Sequence, residues 1–112
     1  MLVCPYDSKQ ASTNFATLAA SNVSYFLALN RPGTNSDAVM IGDRVLTLAA
    51  KPVPSGPLLV TGNTPLGWSK TAHRRHRGGL GFTDGHSEIC DTNRLRAAFA
   101  PPAPATNWLI LP

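Results

Sequence analysis

The sequence is poor in charge. Asp, Glu, Lys and Arg make up 14% of its 112 residues, whereas an average protein has about 25%. Disordered chains combine high charge with low hydrophobicity, and apolar residues here reach 43%, so the composition predicts a folded chain. At this length we expect one domain spanning residues 1–112, with a single modest hydrophobic core.

Long apolar runs are also lacking. No stretch reaches the length of about 18 apolar residues that a membrane-spanning helix needs. The first residues, MLVCPYDSK, have neither the basic nor the apolar region of a signal peptide. They resemble the interior of a protein, and we expect that an upstream segment is missing.

Cysteine is scarce, with only Cys4 and Cys90 in the chain. The pair permits one disulfide in an exported protein, or two thiols in a reducing compartment. A bridge would close most of the chain and stabilise it by about 4–5 kcal/mol on the chain-entropy model. The sequence leaves both states open.

Turn-forming residues are abundant, with ten prolines and nine glycines. This composition favours short strands joined by turns over a helical bundle. The apolar patterns predict strands at 23–29, 38–41, 45–48, 58–60 and 106–111. They leave 51–57 as a loop and place Trp68 in a turn.

Residues 80–90 predict a β-hairpin, because Asp84-Gly85 is the pair that favours a type I′ turn. A short helix is expected at 94–100, with Leu95 and Phe99 on one face and an N-cap supplied by the residues just before it. Helices and strands in this order predict an α+β fold, with a small antiparallel sheet and short helices.

Histidines near the hairpin are candidate zinc ligands, namely His73, His76 and His86, together with Cys90. In a strand, however, His86 and Cys90 would lie about 13 Å apart, too far to share one ion. The ordinary alternative is that these histidines are surface or loop residues.

A calcium site is the other metal alternative, using Asp37, Asp43 or Asp84 with loop carbonyls. The chain has only six acidic residues, which disfavours it. We therefore expect no bound metal or cofactor and keep His73, His76, Asp84 and His86 as the weak candidates.

The only charge run is residues 73–77, where Arg74, Arg75 and Arg77 form a candidate basic contact patch. Such a run could follow nucleic-acid phosphates. Because no aromatic stacking residues surround it, we favour a solvated loop, or a contact for an acidic partner or for lipid head groups.

Catalytic signatures are weak. Cys90 with His86 could form a nucleophile and base, but strand spacing would keep them apart and no oxyanion loop is evident. Gly78-Gly79-x-Gly81 is not a phosphate loop, because no Lys-Ser/Thr follows it. The chain is not expected to be an enzyme.

A set of short segments follows one another along the chain. They are Cys4-Pro5-x-Asp7, Asn22-Val-Ser-Tyr25-Phe26, Gly42-Asp43-Arg44, His76-x-Gly78-Gly79 with Asp84-Gly85, Asn93-Arg94-Leu95-Arg96 and Leu109-Ile-Leu-Pro112. Taken in this order, they resemble bacterial prepilin-like proteins related to type II secretion pseudopilins. The hairpin is similar to that family's C-terminal motif of a His, nine residues and Asp-Gly.

One departure concerns spacing, because seven residues separate His76 from Asp84 and ten separate His73 from it. Neither histidine meets the motif, so a role tied to that His is not carried over. A second departure is that the family's cleavage segment and membrane helix are absent from this sequence.

The resemblance implies a pilin-type globular head that lacks its long N-terminal helix. It further implies a non-enzymatic assembly subunit of a type II secretion or type IV pilus-like system, on the periplasmic side of the inner membrane. Its partners would be other such subunits, or a second copy of the chain. The alternative is a metal- or nucleic-acid-binding module built on 73–90.

Without the helix, one face of the sheet would lose its cover. The expectation is then an exposed apolar patch or a dimer. The residues expected near that face are Val23, Tyr25, Leu27, Ile41 and Phe82.

Overall fold

The computed structural model describes residues 2–5, 7–29, 38–70, 73, 75–100 and 106–112. Of these, 43% lie in strands and 14% in helices. The strands are β1 (Tyr25–Ala28), β2 (Val39–Asp43), β3 (Leu46–Leu48), β4 (Lys51–Pro52), β5 (Gly56–Thr61), β6 (Leu66–Trp68), β7 (Arg77–Phe82), β8 (Ser87–Asp91) and β9 (Thr106–Leu111). Helix α1 is Thr92–Ala98, and two 3₁₀ turns, Phe15–Thr17 and Ala20–Asn22, precede β1.

The strands form two antiparallel sheets. The larger has six strands in the order β5-β9-β1-β2-β7-β8, and the smaller has three in the order β4-β3-β6. The fold is therefore β-rich, and the expected α+β pilin-type head is wrong. In the described part of the chain, helical structure is confined to one seven-residue helix and two short turns.

Segments expected to lack strands supply part of this β content. Lys51–Pro52 is an edge strand of the small sheet, and Trp68 ends a strand instead of sitting in a turn. Pro57 lies in β5, the edge strand of the large sheet, where a residue without an N–H is tolerated. The proline-rich pattern excluded central strands but not edge strands.

The hairpin of β7 and β8 is present, but its turn differs from the type I′ prediction. The Phe82 N–H donates to the His86 carbonyl at 2.9 Å, which leaves a three-residue loop, Thr83–Gly85. Gly85 has φ +92°, and Asp84 has no positive φ. Since a type I′ turn needs positive φ at both central residues, a three-residue loop with glycine in the left-handed region replaces it.

The core lies between the inner face of the large sheet, helix α1 and the small sheet. Its most buried side chains include Phe26, Leu80, Phe82 and Leu109 from the large sheet, Leu46, Leu66 and Trp68 from the small sheet, and Leu95 and Phe99 from the helix segment. A Cβ on Gly78 would stand 2.7 Å from the Trp68 ring. Glycine there lets the ring lie directly on β7.

Helix α1 is present but begins at Thr92, two residues before the expected start at 94. The Asp91 side chain caps it by accepting from the Arg94 N–H at 2.8 Å. Leu95 and Phe99, four residues apart, are both buried as expected.

Within the described residues, no helix is both long enough and apolar enough to cross a membrane.

Candidate functional site

The side of the large sheet that faces away from the core is apolar and exposed. We call this side the outer face. Its apolar members are Tyr25, Leu27, Leu29, Ile41, Leu59, Ile89, Trp108 and Ile110. Trp108 is 50% exposed, Leu27 49% and Leu29 56%. Large apolar side chains of the kind that normally fill a hydrophobic core are therefore exposed to solvent here.

Strand register aligns these side chains into a continuous surface. Leu27 of β1 lies opposite Ile110 of β9 on one side and Ile41 of β2 on the other. Leu59 of β5 lies opposite Trp108. Opposed side chains on one face of an antiparallel pair are about 5 Å apart, so they touch and form one patch.

Charge is absent from this part of the sheet. Strands β1, β5 and β9 have the sequences YFLA, GPLLVT and TNWLIL, without a single Asp, Glu, Lys or Arg. On a sheet face that is exposed to water, the outward side chains are normally polar. Loss of charge around exposed aromatic residues is instead the composition of a protein interface core.

The outer face is large for a chain of this size. With about 4.8 Å between strands and about 3.3 Å per residue, six strands of about five residues cover roughly 500 Å². The charge-free strands β1, β5 and β9 supply about half of that area, roughly 250 Å². Contiguous apolar patches of a few hundred Å² on a monomer are often functional.

A groove of ≈ 350 Å³ crosses the β7 end of the outer face. Gly79 and Gly81 form its floor, while Tyr25, Ile41 and Ile89 form its walls. The groove exists because β7 presents glycine at two successive outward positions. A side chain from a partner could therefore approach the backbone there.

The face contains most of the residues expected near an uncovered sheet. Tyr25, Leu27 and Ile41 belong to the outer face, and Val23 is half-buried just before β1. Phe82 was wrongly placed there: it is 2% exposed and packs into the core on the opposite face. The outward positions of β7 are instead Arg77, Gly79 and Gly81.

Beside the outer face, the N-terminal segment is fastened to the end of β2 by an ion pair. The Arg44 Nε donates to Asp7 Oδ2 at 2.7 Å and Nη2 donates to Oδ1 at 2.5 Å. Burial alone would raise the pKa of Asp7, but hydrogen bonds from Arg44 and Ser24 and the guanidinium charge outweigh it, so the pKa is lowered.

Backbone hydrogen bonds extend the same junction to β1. The Ser24 N–H donates to the Leu2 carbonyl, and the Arg44 N–H donates to the Ser24 carbonyl, each at 2.8 Å. The segments Cys4-Pro5-x-Asp7, Asn22–Phe26 and Gly42-Asp43-Arg44 therefore meet in space. They are three of the pieces on which the resemblance to pseudopilins depends.

A second contact in this junction brings together Cys4, Asp43 and His73. The Cys4 Sγ lies 3.2 Å from His73 Nε2, and Asp43 Oδ2 lies 2.9 Å from the same nitrogen. Cys4 and Asp43 are buried, at 6% and 4% exposure. The Gly79 N–H also donates to Asp43 Oδ2, at 2.7 Å, which fixes the carboxylate.

This trio does not have the geometry of a catalytic triad. In such a triad the histidine uses one ring nitrogen for the nucleophile and the other for the carboxylate. Here the thiol and the carboxylate approach one nitrogen. The three donor atoms all lie within 4.8 Å of one another, a spacing at which they could ligate one ion.

Comparison with protein-family models, with curated proteins and with solved structures found no match.

The histidines singled out near the hairpin do not come together. His76 Nδ1 lies 3.1 Å from the Trp68 carbonyl oxygen, and His86 Nδ1 lies 2.5 Å from Asp84 Oδ1. The His86 ring also stacks on Phe82, with centroids 4.2 Å apart. Of the weak metal candidates, only His73 joins a group of three ligand-type side chains in the described part of the chain.

The remaining residues of the family signature lie in the β7–β8 hairpin. Gly78 and Gly79 lie in β7, and Asp84 and Gly85 lie in the hairpin loop. Asp37, named as a calcium candidate, lies outside the described residues.

The basic contact patch is only partly described, because Arg74 lies outside the described residues. Arg75 and Arg77 are exposed. Arg77 stands opposite Asp91 in the β7–β8 register, so an acidic side chain faces part of the patch.

No disulfide joins Cys4 to Cys90. Cys4 lies with Asp43 and His73, whereas Cys90 points into the core from the inner face of β8. Burial raises the pKa of the Cys90 thiol, which keeps it protonated and unreactive. The pairing of Cys90 with His86 as nucleophile and base is also not formed, because His86 is at the exposed hairpin loop.

Proposed function

We propose that this chain is a non-enzymatic assembly subunit of a pseudopilin-like system, and that it associates with a second copy of itself through the outer face. The observation that carries the proposal is the charge-free apolar surface formed by β1, β5 and β9. By the same resemblance the subunit would act on the periplasmic side of the bacterial inner membrane.

The motifs that resemble pseudopilins, and their order along the chain, support the proposal of a pseudopilin-like system. Its N-terminal, β1 and β2 pieces interlock through the Asp7–Arg44 ion pair and the Ser24 backbone hydrogen bonds. Three motif segments that are far apart in sequence therefore contact one another in the fold. The β-rich architecture is not a pilin-type α+β head, so the proposal depends on the motifs and on the outer face.

Size favours a second copy as the occupant. Two outer faces of roughly 500 Å² each would bury about 1,000 Å² in total, the lower limit for a specific interface. Two antiparallel sheets can pack face to face at about 10 Å with their apolar side chains interdigitated. Trp108, half-exposed near the middle of the charge-free strands, is the anchor residue.

Sedimentation equilibrium over about 1 µM to about 1 mM protein tests the proposal. The wild type should shift from monomer to dimer, and Trp108→Glu should remain monomeric, because a dimer would bury the new carboxylate. The matched control is Phe15→Glu, which charges a more exposed residue, at 76%, outside the large sheet.

Phe15→Glu should dimerise like the wild type. A wild type that stays monomeric throughout the range would contradict self-association. Equal dimerisation of wild type and Trp108→Glu would show that another surface is used. Circular dichroism of each variant verifies that the strands are retained.

A further inference from the structure

We propose that Cys4, Asp43 and His73 form a binding site for a divalent transition-metal ion, with Zn²⁺ the ion best suited to the donors. The site is separate from the surface proposed for self-association, because its three residues lie outside β1, β5 and β9.

The donor atoms are close enough to hold one ion. Cys4 Sγ, His73 Nε2 and a carboxylate oxygen of Asp43 all lie within 4.8 Å of one another. Tetrahedral zinc bonds of about 2.3 Å to sulfur and about 2.0–2.1 Å to nitrogen and oxygen place S and N about 3.5 Å apart, and N and O about 3.3 Å apart.

The observed separations are 3.2 Å and 2.9 Å. Each pair therefore has to open by only a few tenths of an ångström to accept the ion.

Cys4 and Asp43 both contact the same nitrogen of His73. One imidazole nitrogen carries either a single hydrogen or a single lone pair. It can therefore make both contacts only as one N–H shared between the Asp43 carboxylate and the Cys4 sulfur, or through a cation that lies between them. A cation placed between the three atoms interacts favourably with all of them.

The donor set selects the class of metal. Thiolate and imidazole are ligands for zinc and related transition metals, whereas calcium and magnesium take oxygen ligands. The calcium alternative built on Asp43 is therefore disfavoured by its neighbours. Three protein donors leave a tetrahedral ion one further position, which a water molecule can fill.

The surroundings hold the ligands in place. Asp43 accepts the Gly79 N–H, and the Asp7–Arg44 ion pair fastens the segment that carries Cys4. Hydrogen bonds to a ligating carboxylate are the usual support of a metal site. The arrangement brings together positions 4, 43 and 73, so no short spacing motif reveals it.

The test uses the full chain without an affinity tag, reduced and freed of metal, and titrated with Co²⁺ as the probe. Wild type should bind one Co²⁺ per chain, with the near-ultraviolet charge-transfer absorption of a thiolate ligand, and Zn²⁺ should displace it. Cys4→Ser should abolish that absorption and lower the affinity at least about tenfold.

Matched controls replace the other thiol and another histidine. Cys90→Ala and His86→Gln should bind Co²⁺ like the wild type, because neither residue is in the cluster. Binding without the thiolate absorption would overturn the proposal. Absorption that survives Cys4→Ser, or that disappears in Cys90→Ala, would do the same.

A measurement on the wild type avoids any dependence on variant folding. Iodoacetamide labelling followed by peptide mass spectrometry gives the alkylation rate of each cysteine. Zn²⁺ should slow the alkylation of Cys4 by at least about tenfold and leave the rate of Cys90 unchanged. Equal rates for Cys4 with and without Zn²⁺ would refute the site.

Discussion

The ion pair between Asp7 and Arg44 should be one of the main polar contributions to stability. The Asp7 side chain is 5% exposed and that of Arg44 27%. Breaking a fully buried pair costs about 3–5 kcal/mol. Since Arg44 can regain part of its hydration, we expect Asp7→Asn to lower the free energy of unfolding by about 2 kcal/mol. For a chain of this length that is a Tm decrease of about 8 °C.

Urea unfolding of a double-mutant cycle isolates the pair. Asp7→Asn, Arg44→Gln and the double variant should give a coupling energy above about 1 kcal/mol. The matched control is the exposed pair of Glu88 and Arg94, whose Nε–Oε1 distance is 2.6 Å. Its side chains are 28% and 44% exposed, so Glu88→Gln should cost less than about 1 kcal/mol.

The pH dependence follows from the lowered pKa of Asp7. A carboxyl whose pKa is lower in the folded state contributes its full stability above the unfolded pKa of about 3.9. That contribution is lost as the pH falls through the folded pKa. The difference in free energy of unfolding between wild type and Asp7→Asn should therefore be largest near neutral pH. It should shrink towards zero in strong acid.

Two results would refute this reasoning. One is an Asp7→Asn variant within about 0.5 kcal/mol of the wild type at neutral pH, which is the range of ordinary surface substitutions. The other is a stability difference that persists unchanged into strong acid.

Two further predictions concern packing. Gly42→Ala should destabilise by about 1–3 kcal/mol in urea unfolding, because its Cβ would stand 2.5 Å from the Phe26 ring. Gly79→Ala on the neighbouring strand meets nothing closer than 3.4 Å and should cost less than about 1 kcal/mol; equal losses would contradict the packing described. Leu95→Ala should cost about 2–5 kcal/mol, since Leu95 is fully buried. The control Leu18→Ala, at 37% exposure, should stay within about 1 kcal/mol, and a similar cost for both would place Leu95 outside the core.

Local sequence patterns predicted the last strand and the buried face of the helix. The last strand matches its expected range of 106–111, and Leu95 and Phe99 of the helix segment are buried as the four-residue spacing indicated. The short strands Lys51–Pro52 and Leu66–Trp68 were missed. They are stabilised by pairing with β3 across the small sheet, and a two- or three-residue strand has no periodicity of its own.

The candidate metal cluster shows a different limit. Ligand spacing near the hairpin singled out His73, His76, His86 and Cys90, of which only His73 joins a described group of three ligand-type side chains. The residues that do meet lie at positions 4, 43 and 73. The Asp7–Arg44 ion pair fastens the segment that carries Cys4 beside the end of β2, where Asp43 lies. No local sequence pattern encodes such a junction between distant segments.

Quenching of tryptophan fluorescence by acrylamide tests the central claim, burial of the outer face by a second copy, most directly. Trp108 is 50% exposed and Trp68 only 1%, so quenching of the monomer reports on Trp108, with Trp68 as an internal reference. As the wild-type concentration rises from about 1 µM to about 1 mM, quenching should decrease, because Trp108 becomes covered. In Leu27→Glu, which keeps both tryptophans, quenching should stay high at every concentration. Wild-type quenching that does not change with concentration would contradict the account.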